Sequence, residues 1–309
     1  MAVLDCLKSY PVYRLQLEDR EQQDACASML VDELAKHGIT CTVLHAGKEL
    51  HRYRVLQELR QNDIILISGR PSFPVKQIAV ESKTAEHSGA LCWSSPCGSN
   101  AVSFAESLLA DAALCLNNAP VWACVLIGGK SSRMGQPKHL LQDIQGRTWL
   151  ESLVASIRPS VSGIVFSGRG EIPPALGDVP RLPDIPGVQG PLNGILAAGR
   201  WQPFVSWLLL ACDMPEIGSA GITWLLTGRT PGLWGRVPRL AESGFSEPLF
   251  AWYDFRAVPL FEQQLVEGNF RLNSIVTHRK IENPVVPKSL RCNWQNVNTP
   301  EQLLSYRKA

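Results

Sequence analysis

The stretch of sequence that decides the fold reads VWACVLIGGKSSRMGQPK and runs from Val121 to Lys138. Its first part, Val121–Ile127, is a continuous apolar run, which is typical of a central strand in a parallel sheet. Glycines at positions 128, 129 and 135 follow it, and glycine lets the backbone approach an anion closely and point its N–H groups at it. Because ligands bind at the carboxyl ends of such strands, we expect a triphosphate-binding loop over Gly128–Lys138.

Three cations accompany these glycines, and counting excludes two familiar nucleotide motifs. Lys130, Arg133 and Lys138 have spacings that a triphosphate could bridge. A Walker loop ending at Gly129-Lys130-Ser131 would need glycine where Cys124 stands. The dinucleotide fingerprint Gly-x-Gly-x-x-Gly fits in no register. A glycine-rich surface turn with incidental charges remains the alternative at this point.

Strand-like and helical patterns alternate after the loop. In order, they are a helix near Trp149–Ile157, a strand at Gly163–Phe166, a helix at Leu192–Trp201 and a strand at Val205–Ala211. Such alternation implies parallel strands joined by right-handed crossovers. We therefore predict an α/β fold, with a Rossmann-like and mostly parallel sheet in a domain that covers residues 119–309.

A smaller α/β domain is predicted over residues 1–118. The turn residues Asn117–Pro120, which precede the apolar run, mark the predicted boundary. The predicted helices of this domain are Glu21–His37, Tyr53–Gln61 and Ala101–Leu114, and its predicted strands are Ile39–His45, Ile64–Ile67 and Ala90–Trp93.

Composition restricts the classes of function. The net charge of the 309 residues is only +2, which excludes the basic field that bulk nucleic-acid binding requires. The nine cysteines form no Cys-x-x-Cys pair, and several lie in apolar runs. This pattern favours reduced thiols over a disulfide framework or a zinc site. Without a signal-peptide pattern or an apolar run long enough to span a bilayer, we expect a cytoplasmic protein without a membrane partner.

Five segments in order resemble the molybdenum cofactor guanylyltransferases. The loop is similar to their signature Leu-Ala-Gly-Gly-x-Ser-x-Arg-Met-Gly-x-x-Lys, with Ile127 in place of the usual alanine. The four later segments that match the family are Asp184–Ile195, Leu210–Pro215, Glu247–Tyr253 and Asn296–Glu301. The resemblance extends from Leu126 to Glu301. It implies a Rossmann-like nucleotidyltransferase domain that transfers GMP from GTP to molybdopterin with the help of Mg²⁺.

The resemblance also implies roles for individual residues. Arg133 and Lys138 would neutralise charge on the leaving pyrophosphate, and Asp213 would bind the metal and complete the catalytic set. The residues expected to bind the nucleotide and the pterin substrate are Leu126, Ile127, Gly128, Gly129, Ser131, Lys138, Ser167, Asp184, Gly190, Asp213, Asn296 and Asn298.

Several of these assignments have plain structural alternatives. Asp213 alone could be a helix N-cap ahead of Met214-Pro215, and Asp184 could be a turn carboxylate. Asn296 and Asn298 either meet the pterin or hold their own loop.

The sequence departs from the family pattern after the second strand of the domain. The family places there an asparagine that helps to hold the nucleotide, whereas this chain has Ser167-Gly168-Arg169. The Gly128-Gly129 pair favours GTP over CTP, because the related cytidylyl enzymes usually read Ala-Ala-Gly at that point.

The domain of residues 1–118 resembles the small P-loop GTP-binding adaptors of molybdopterin-guanine dinucleotide biosynthesis. The matching segments are Leu34–His45, Asn62–Arg70 and Phe73–Val80. Their Walker loop is missing, since the region near Lys8–Leu15 contains no glycine and Gly47-Lys48-Glu49 does not fit the motif. We expect a degenerate adaptor that does not hydrolyse nucleotide.

Other functions stay open from sequence alone. The chain could be a cytidylyl or sugar-phosphate nucleotidyltransferase of the same fold, or a non-catalytic protein that binds a nucleotide or cofactor. The partners that the resemblance implies are GTP and molybdopterin as substrates, with molybdenum-insertion proteins and apo-molybdoenzymes as protein partners and no nucleic acid.

Overall fold

The computed structural model describes residues 7, 10–17, 19–46, 50–80, 91–93, 98–128, 137–241 and 244–308. The chain divides into two compact units. The first comprises Met1–Ala119 with Arg229–Gly232, and the second comprises Pro120–Gly228 with Leu233–Ala309. In the part of the chain that is described, no helix has the length and apolarity needed to cross a membrane.

The first unit is built on a five-stranded parallel sheet with the order β2-β3-β1-β4-β5. Its helices pack apolar side chains such as Leu30 and Leu108 against the buried strand residues Tyr13 and Leu66. The elements are β1 Val12–Gln16, α1 Arg20–Lys36, β2 Cys41–Ala46, α2 Arg52–Leu59, β3 Ile64–Gly69, β4 Lys76–Val80, β5 Leu91–Trp93 and α3 Gly98–Asn118.

The second unit is built on a seven-stranded sheet with the order β12-β10-β11-β9-β6-β7-β8. All its pairs are parallel except those that β11 makes with β9 and β10. The elements are β6 Val121–Leu126, α4 Trp149–Ile157, β7 Gly163–Ser167, β8 Arg181–Leu182, α5 Pro191–Trp201, β9 Ser206–Ala211, α6 Ser219–Leu226, β10 Gly235–Arg236, β11 Phe250–Tyr253, α7 Val258–Val266, β12 Ile281–Glu282 and α8 Pro300–Lys308.

Helices cover both faces of this second sheet, so its central strands are buried on both sides. Successive residues of β6 show the consequence: Val125 packs into one apolar cluster and Cys124 into the other. This two-sided burial explains why the strand reads as an uninterrupted apolar run. Burial also raises the pKa of the Cys124 thiol to about 12, so this cysteine is a small core residue.

The predicted α/β class and the mostly parallel sheet of the second unit are confirmed, whereas several strands were not predicted, among them β1, β8, β10 and β12. No strand had been assigned to Val12–Gln16, because its polar residues interrupt the apolar pattern. Arg14 is accommodated there because its Nε donates to the carbonyl of Gly69 at 2.8 Å. Strand β1 covers the second half of Lys8–Leu15, the region that corresponds to the Walker loop of the adaptors.

Candidate active site

A cavity of about 1100 Å³ opens at the carboxyl ends of the central strands of the second unit. The pairing register aligns Leu126 of β6 with Ser167 of β7 and with Ala211 of β9, so the three strands end at one level. The lining segments are 126–128, 137–139, 167–171, 184–191, 211–213 and residues 193 and 249. A cavity of this size at this edge of a parallel sheet is where α/β proteins bind nucleotides.

The glycine loop is only partly described. Leu126, Ile127 and Gly128 line the cavity, and Ile127 N–H donates to the carbonyl of Ser167 at 2.8 Å. Gly129, Ser131 and Arg133 lie outside the described residues, so their predicted contacts stay predictions. Lys138 begins a short 3-10 helix on the far side of the loop and also lines the cavity.

Lys138 and Asp213 meet at the cavity floor. The Lys138 Nζ lies 3.4 Å from Asp213 Oδ2 and also donates to Asn298 Oδ1. The other carboxylate oxygen, Asp213 Oδ1, is buried and has no hydrogen-bond partner among the described residues. Neither oxygen accepts from a described backbone N–H, and Gly218 is the N-cap of the helix that follows. The helix-cap alternative for Asp213 therefore does not describe this carboxylate.

The segment Asn296–Glu301 is hydrogen-bonded to residues around Asp213. Val297 N–H donates to the carbonyl of Asp213 at 2.8 Å, and Asn298 N–H donates to Gln302 Oε1 at 2.6 Å. Asn296 Nδ2 donates to Glu247 Oε2 at 3.3 Å. The side chains of both asparagines thus bond to residues outside their own segment, Asn296 to Glu247 and Asn298 to Lys138, and their predicted contact with the pterin stays a prediction.

Glu247 is a residue of this site that the sequence reasoning quoted but did not assign. Its Oε1 accepts from Leu249 N–H at 3.2 Å, while Oε2 faces Asn296. Burial, with a smaller contribution from the nearby Asp213 carboxylate, raises the pKa of Glu247. The signal available in the sequence was its place in the Glu247–Tyr253 segment, which matches the family and leads into the buried strand β11.

Asp184 is held from two sides. Its Oδ1 accepts from Asn193 Nδ2 at 3.0 Å, and its Oδ2 accepts from Arg169 Nε at 2.8 Å. Asn193 is itself fixed, since its Oδ1 accepts from Ile185 N–H at 3.0 Å. The sequence reasoning missed both Asn193 and Arg169, although the Asp and Asn of the Asp184–Ile195 segment were signals that a polar pair was present.

The turn after β7 is pressed against the start of the glycine loop. Gly168 has a φ of +110°, and a Cβ built on it would lie 2.1 Å from the carbonyl oxygen of Ile127. Gly170 N–H donates to that same carbonyl at 3.1 Å. Only glycine fits at position 168, which gives a physical reason why no asparagine stands there. Ser167, just before the turn, is buried and lines the cavity.

The His139 side chain contacts the residues of this turn. Its Nε2 lies 2.9 Å from the carbonyl oxygen of Glu171, and a Cβ on Gly170 would lie 2.7 Å from its ring. Burial lowers the pKa of His139, which favours a neutral ring that donates this hydrogen bond.

Gly190 begins the helix α5 at the other side of the cavity. Its φ of +70° suits glycine, and no side chain caps the helix. Pro191 follows at the first helical position without acidic residues in the first turn. The N-terminus of α5, which carries the positive end of the helix dipole, therefore lines the cavity, with the Asp184 carboxylate hydrogen-bonded to Asn193 of its first turn.

Similarity to known proteins agrees with this geometry. The model of the MobA-like NTP transferase domain matches residues 123–280. A molybdenum cofactor guanylyltransferase of Rhizobium meliloti is 32% identical over 194 residues, which cover 59% of this chain and 88% of that protein. A probable molybdenum cofactor guanylyltransferase of Bacillus cereus is 28% identical over 196 residues, covering 60% of this chain and 96% of the relative.

One solved structure supports the fold. The molybdopterin-guanine dinucleotide biosynthesis protein A of Archaeoglobus fulgidus superposes with a TM-score of 0.51 at 24% identity, covering 60% of this chain and 97% of that one. At this identity the likeness shows the fold alone. The family match, however, covers half of the chain at the residues that build the cavity, and so the chain belongs to the MobA-like NTP transferase family.

Proposed function

We propose that this chain transfers GMP from GTP to the terminal phosphate of molybdenum-bound molybdopterin, forming the guanine dinucleotide cofactor and releasing pyrophosphate. The observation that carries the proposal is the Lys138–Asp213 pair beside the glycine loop. The Lys138 ammonium suits the charge of a triphosphate, and the Asp213 oxygen that has no described partner suits a magnesium ion bound to that triphosphate. Relatives named for this activity match about three fifths of the chain.

The reaction requires that the two substrates be positioned and that charge on the leaving group be neutralised, and it does not require a general base. The acceptor phosphate is already ionised, and one of its oxygens attacks the α-phosphorus of GTP. The bond from that phosphorus to the bridging oxygen then breaks, and the electron pair leaves with pyrophosphate. Lys138 would neutralise charge on the leaving group, as would Arg133 from within the loop. No proton needs to be removed from the nucleophile.

A divalent cation fits the carboxylate at the cavity floor. Among the described residues, no group of three or more His, Cys, Asp or Glu side chains could hold a metal. Mg²⁺, however, needs only one or two protein carboxylates besides phosphates and water, and Asp213 Oδ1 is buried without a hydrogen-bond partner in the part of the chain that the structure describes. Asp213 would hold the ion, which when bound supplies positive charge to the phosphates.

Two other functions compete with this one. A cytidylyl or sugar-phosphate nucleotidyltransferase would use the same fold, and a non-catalytic protein could retain only binding. The Lys138–Asp213 pair, which simple base recognition would not require, favours catalysis.

The decisive experiment measures pyrophosphate release by the full chain with Mg²⁺, molybdopterin and each nucleoside triphosphate in turn. We expect release with GTP and little with CTP, UTP or ATP. Release with CTP alone would identify the cytidylyl alternative. No release with any triphosphate, despite binding of GTP, would favour the non-catalytic alternative.

For the first unit we propose a degenerate adaptor that contributes docking or cofactor handling without its own nucleotide site. Only three residues, 17–19, separate the end of β1 from the start of α1, whereas a Walker loop spans eight residues. Titration of GTP into the full chain carrying Lys138→Ala and Asp213→Asn tests this. Residual binding with the affinity of the wild type would contradict it.

A further inference from the structure

We propose that Gln302, acting through Asn298, is a positioning residue for Lys138, an inference that rests on the proposed function and deepens it. The resemblance assigns Asn298 to the pterin and gives no role to Gln302, which lies in the first turn of α8. In the structure the Lys138 ammonium donates to Asn298 Oδ1. The helix α8 is thereby connected to the cation that is expected at the leaving pyrophosphate.

The Lys138 side chain needs a fixed acceptor because its stem is long and flexible. Holding a lysine side chain in one conformation costs up to about 2 kcal/mol of rotamer freedom. Asp213 Oδ2, at 3.4 Å from Nζ, is its other described acceptor. That carboxylate is also the group proposed for Mg²⁺, and the ion pair with Lys138 would weaken once it neutralised a divalent cation. Asn298 Oδ1 would then be the acceptor that keeps Lys138 beside the cavity.

The amide of Asn298 suits this task because it carries no charge. A carboxylate partner would cancel much of the positive charge that Lys138 presents to the phosphates. An amide oxygen fixes the ammonium group and leaves its net charge unchanged. Because an ammonium group donates three hydrogen bonds and Lys138 has two described acceptors, one donor position remains for a phosphate oxygen.

The backbone of Asn298 is fixed from both sides. Val297 N–H donates to the carbonyl of Asp213 at 2.8 Å. Gln302 Oε1 accepts from Asn298 N–H at 2.6 Å and from Thr299 N–H at 3.2 Å. Gln302 N–H donates in return to Thr299 Oγ1 at 3.3 Å, which is the reciprocal pattern of a capping box. The capping of α8 and the placement of the Asn298 side chain therefore depend on one glutamine.

The first test is the steady-state kinetics of pyrophosphate release by the full chain with Mg²⁺, in which GTP and molybdopterin are varied in turn. The variants are Asn298→Ala, Gln302→Ala and Gln302→Glu, and each alanine variant is also combined with Lys138→Ala. Gln263→Ala is the matched control. Gln263 is another exposed helical glutamine with a side-chain hydrogen bond, to Glu267 Oε1 at 2.8 Å, but it does not line the cavity.

We expect kcat to fall about tenfold in Asn298→Ala and about threefold in Gln302→Ala, because a small displacement of a charged group that acts in the transition state lowers kcat. The KM for molybdopterin should stay within about twofold of wild type. Gln302→Glu should recover the lost rate, since its Oε1 still accepts from both N–H groups. In the chain with Lys138→Ala, neither alanine substitution should lower kcat further. Gln263→Ala should match wild type.

Lysine reactivity gives a second readout that requires no catalysis. The Lys138 side chain is 19% exposed, and removal of its amide acceptor leaves it freer to reach solvent. Trace labelling with acetic anhydride, read by mass spectrometry, should therefore acetylate Lys138 severalfold faster in Asn298→Ala and Gln302→Ala than in wild type. Lys36, whose side chain is 69% exposed, is the internal reference and should react equally in all variants.

A higher KM for molybdopterin with an unchanged kcat in Asn298→Ala would overturn the inference and assign this side chain to the pterin. An equal loss of kcat with and without Lys138 would also overturn it, by indicating a general loosening of the site. So would an unchanged rate of Lys138 acetylation in both alanine variants. A wild-type chain that releases no pyrophosphate from any triphosphate would instead refute the proposed function, and the acetylation rates would still decide whether Gln302 holds Lys138.

Discussion

The first unit carries a parallel sheet and the second a mostly parallel one, yet the segments that follow the carboxyl ends of their strands differ. In the second unit, the glycine loop predicted over Gly128–Lys138 follows β6, and no described side chain caps the N-terminus of α5. In the first unit, three residues separate β1 from α1. There Asp19 caps the helix by accepting from Glu21 N–H at 2.9 Å. An acidic cap occupies the position at which a helix would otherwise receive a phosphate.

Polar side chains at the first edge bond to each other. Ser68 Oγ donates to Asp24 Oδ1 at 2.9 Å and lies 3.2 Å from Gln23 Oε1. Gln23 Nε2 in turn donates to the carbonyl of Leu15. At the second edge, by contrast, Asp213 Oδ1 has no described partner. The polar groups at the first edge are thus satisfied within the fold, whereas the second edge keeps a carboxylate oxygen for a ligand.

The largest expected effect is on the rate of pyrophosphate release, which should fall after substitutions at the carboxyl edge of the second sheet but not of the first. Asp213→Asn and Lys138→Ala should each lower the rate of pyrophosphate release by about 100-fold or more, because each removes a charge that acts on the phosphates. Asp24→Asn, which changes a carboxylate at the first edge, should leave the rate within about twofold of wild type. Initial rates at saturating GTP measure both. A comparable loss in Asp24→Asn would contradict the division of roles.

The next effect concerns the turn that replaces the family asparagine. Gly168→Ala should lower the free energy of unfolding by about 2–5 kcal/mol, since it combines backbone strain with a clash against a backbone oxygen. Gly146→Ala is the matched control, because Gly146 has a φ of +77° with nothing within 4 Å of its Cβ position. It should cost only about 1 kcal/mol. Urea unfolding measures both, and equal losses would argue against the clash.

Gly168 also marks where sequence reasoning stopped. The strands β6, β7 and β9 and the polar residues Asp184 and Asp213 could be predicted, because periodicity and motif order are local properties. The absence of the asparagine was visible too. The reason for this absence could not be predicted, because the Ile127 carbonyl, which excludes any side chain at position 168, is distant in sequence.

Arg169 and Asn193 were missed for the same reason. Their partner Asp184 is 15 and 9 positions away, and no spacing rule connects them. The strand β1 escaped because its polar residues find partners only in the folded sheet, as Arg14 does at Gly69. Long-range hydrogen bonds, rather than local propensity, therefore account for most of what the sequence left open.

A third effect concerns His139, whose protonation should make the free energy of unfolding depend on pH. Burial lowers the folded-state pKa of His139 below its ordinary value of 6.5. Below that value the unfolded chain binds more protons than the folded chain, so stability falls as the pH is lowered from 7.5 to 5.5. His139→Gln retains a donor for Glu171 and should flatten this dependence. His278, whose pKa burial also lowers, should leave a residual slope. Urea unfolding across this range measures the slopes, and an identical slope in the variant would contradict a buried neutral His139.

The smallest effect tests whether the acidic cap of the first edge is structural alone. Asp19→Ala should lower the free energy of unfolding by about 1 kcal/mol, because it leaves a donor at the helix N-terminus unpaired. Asp19→Asn should restore most of this loss, since its side-chain oxygen still accepts from Glu21 N–H. Both variants should bind GTP as wild type does, because three residues between strand and helix leave no room for a phosphate loop. Titration would contradict this if Asp19→Asn bound a second equivalent of GTP. The negative charge of Asp19, and not the short connection, would then be what excludes a nucleotide from the first edge.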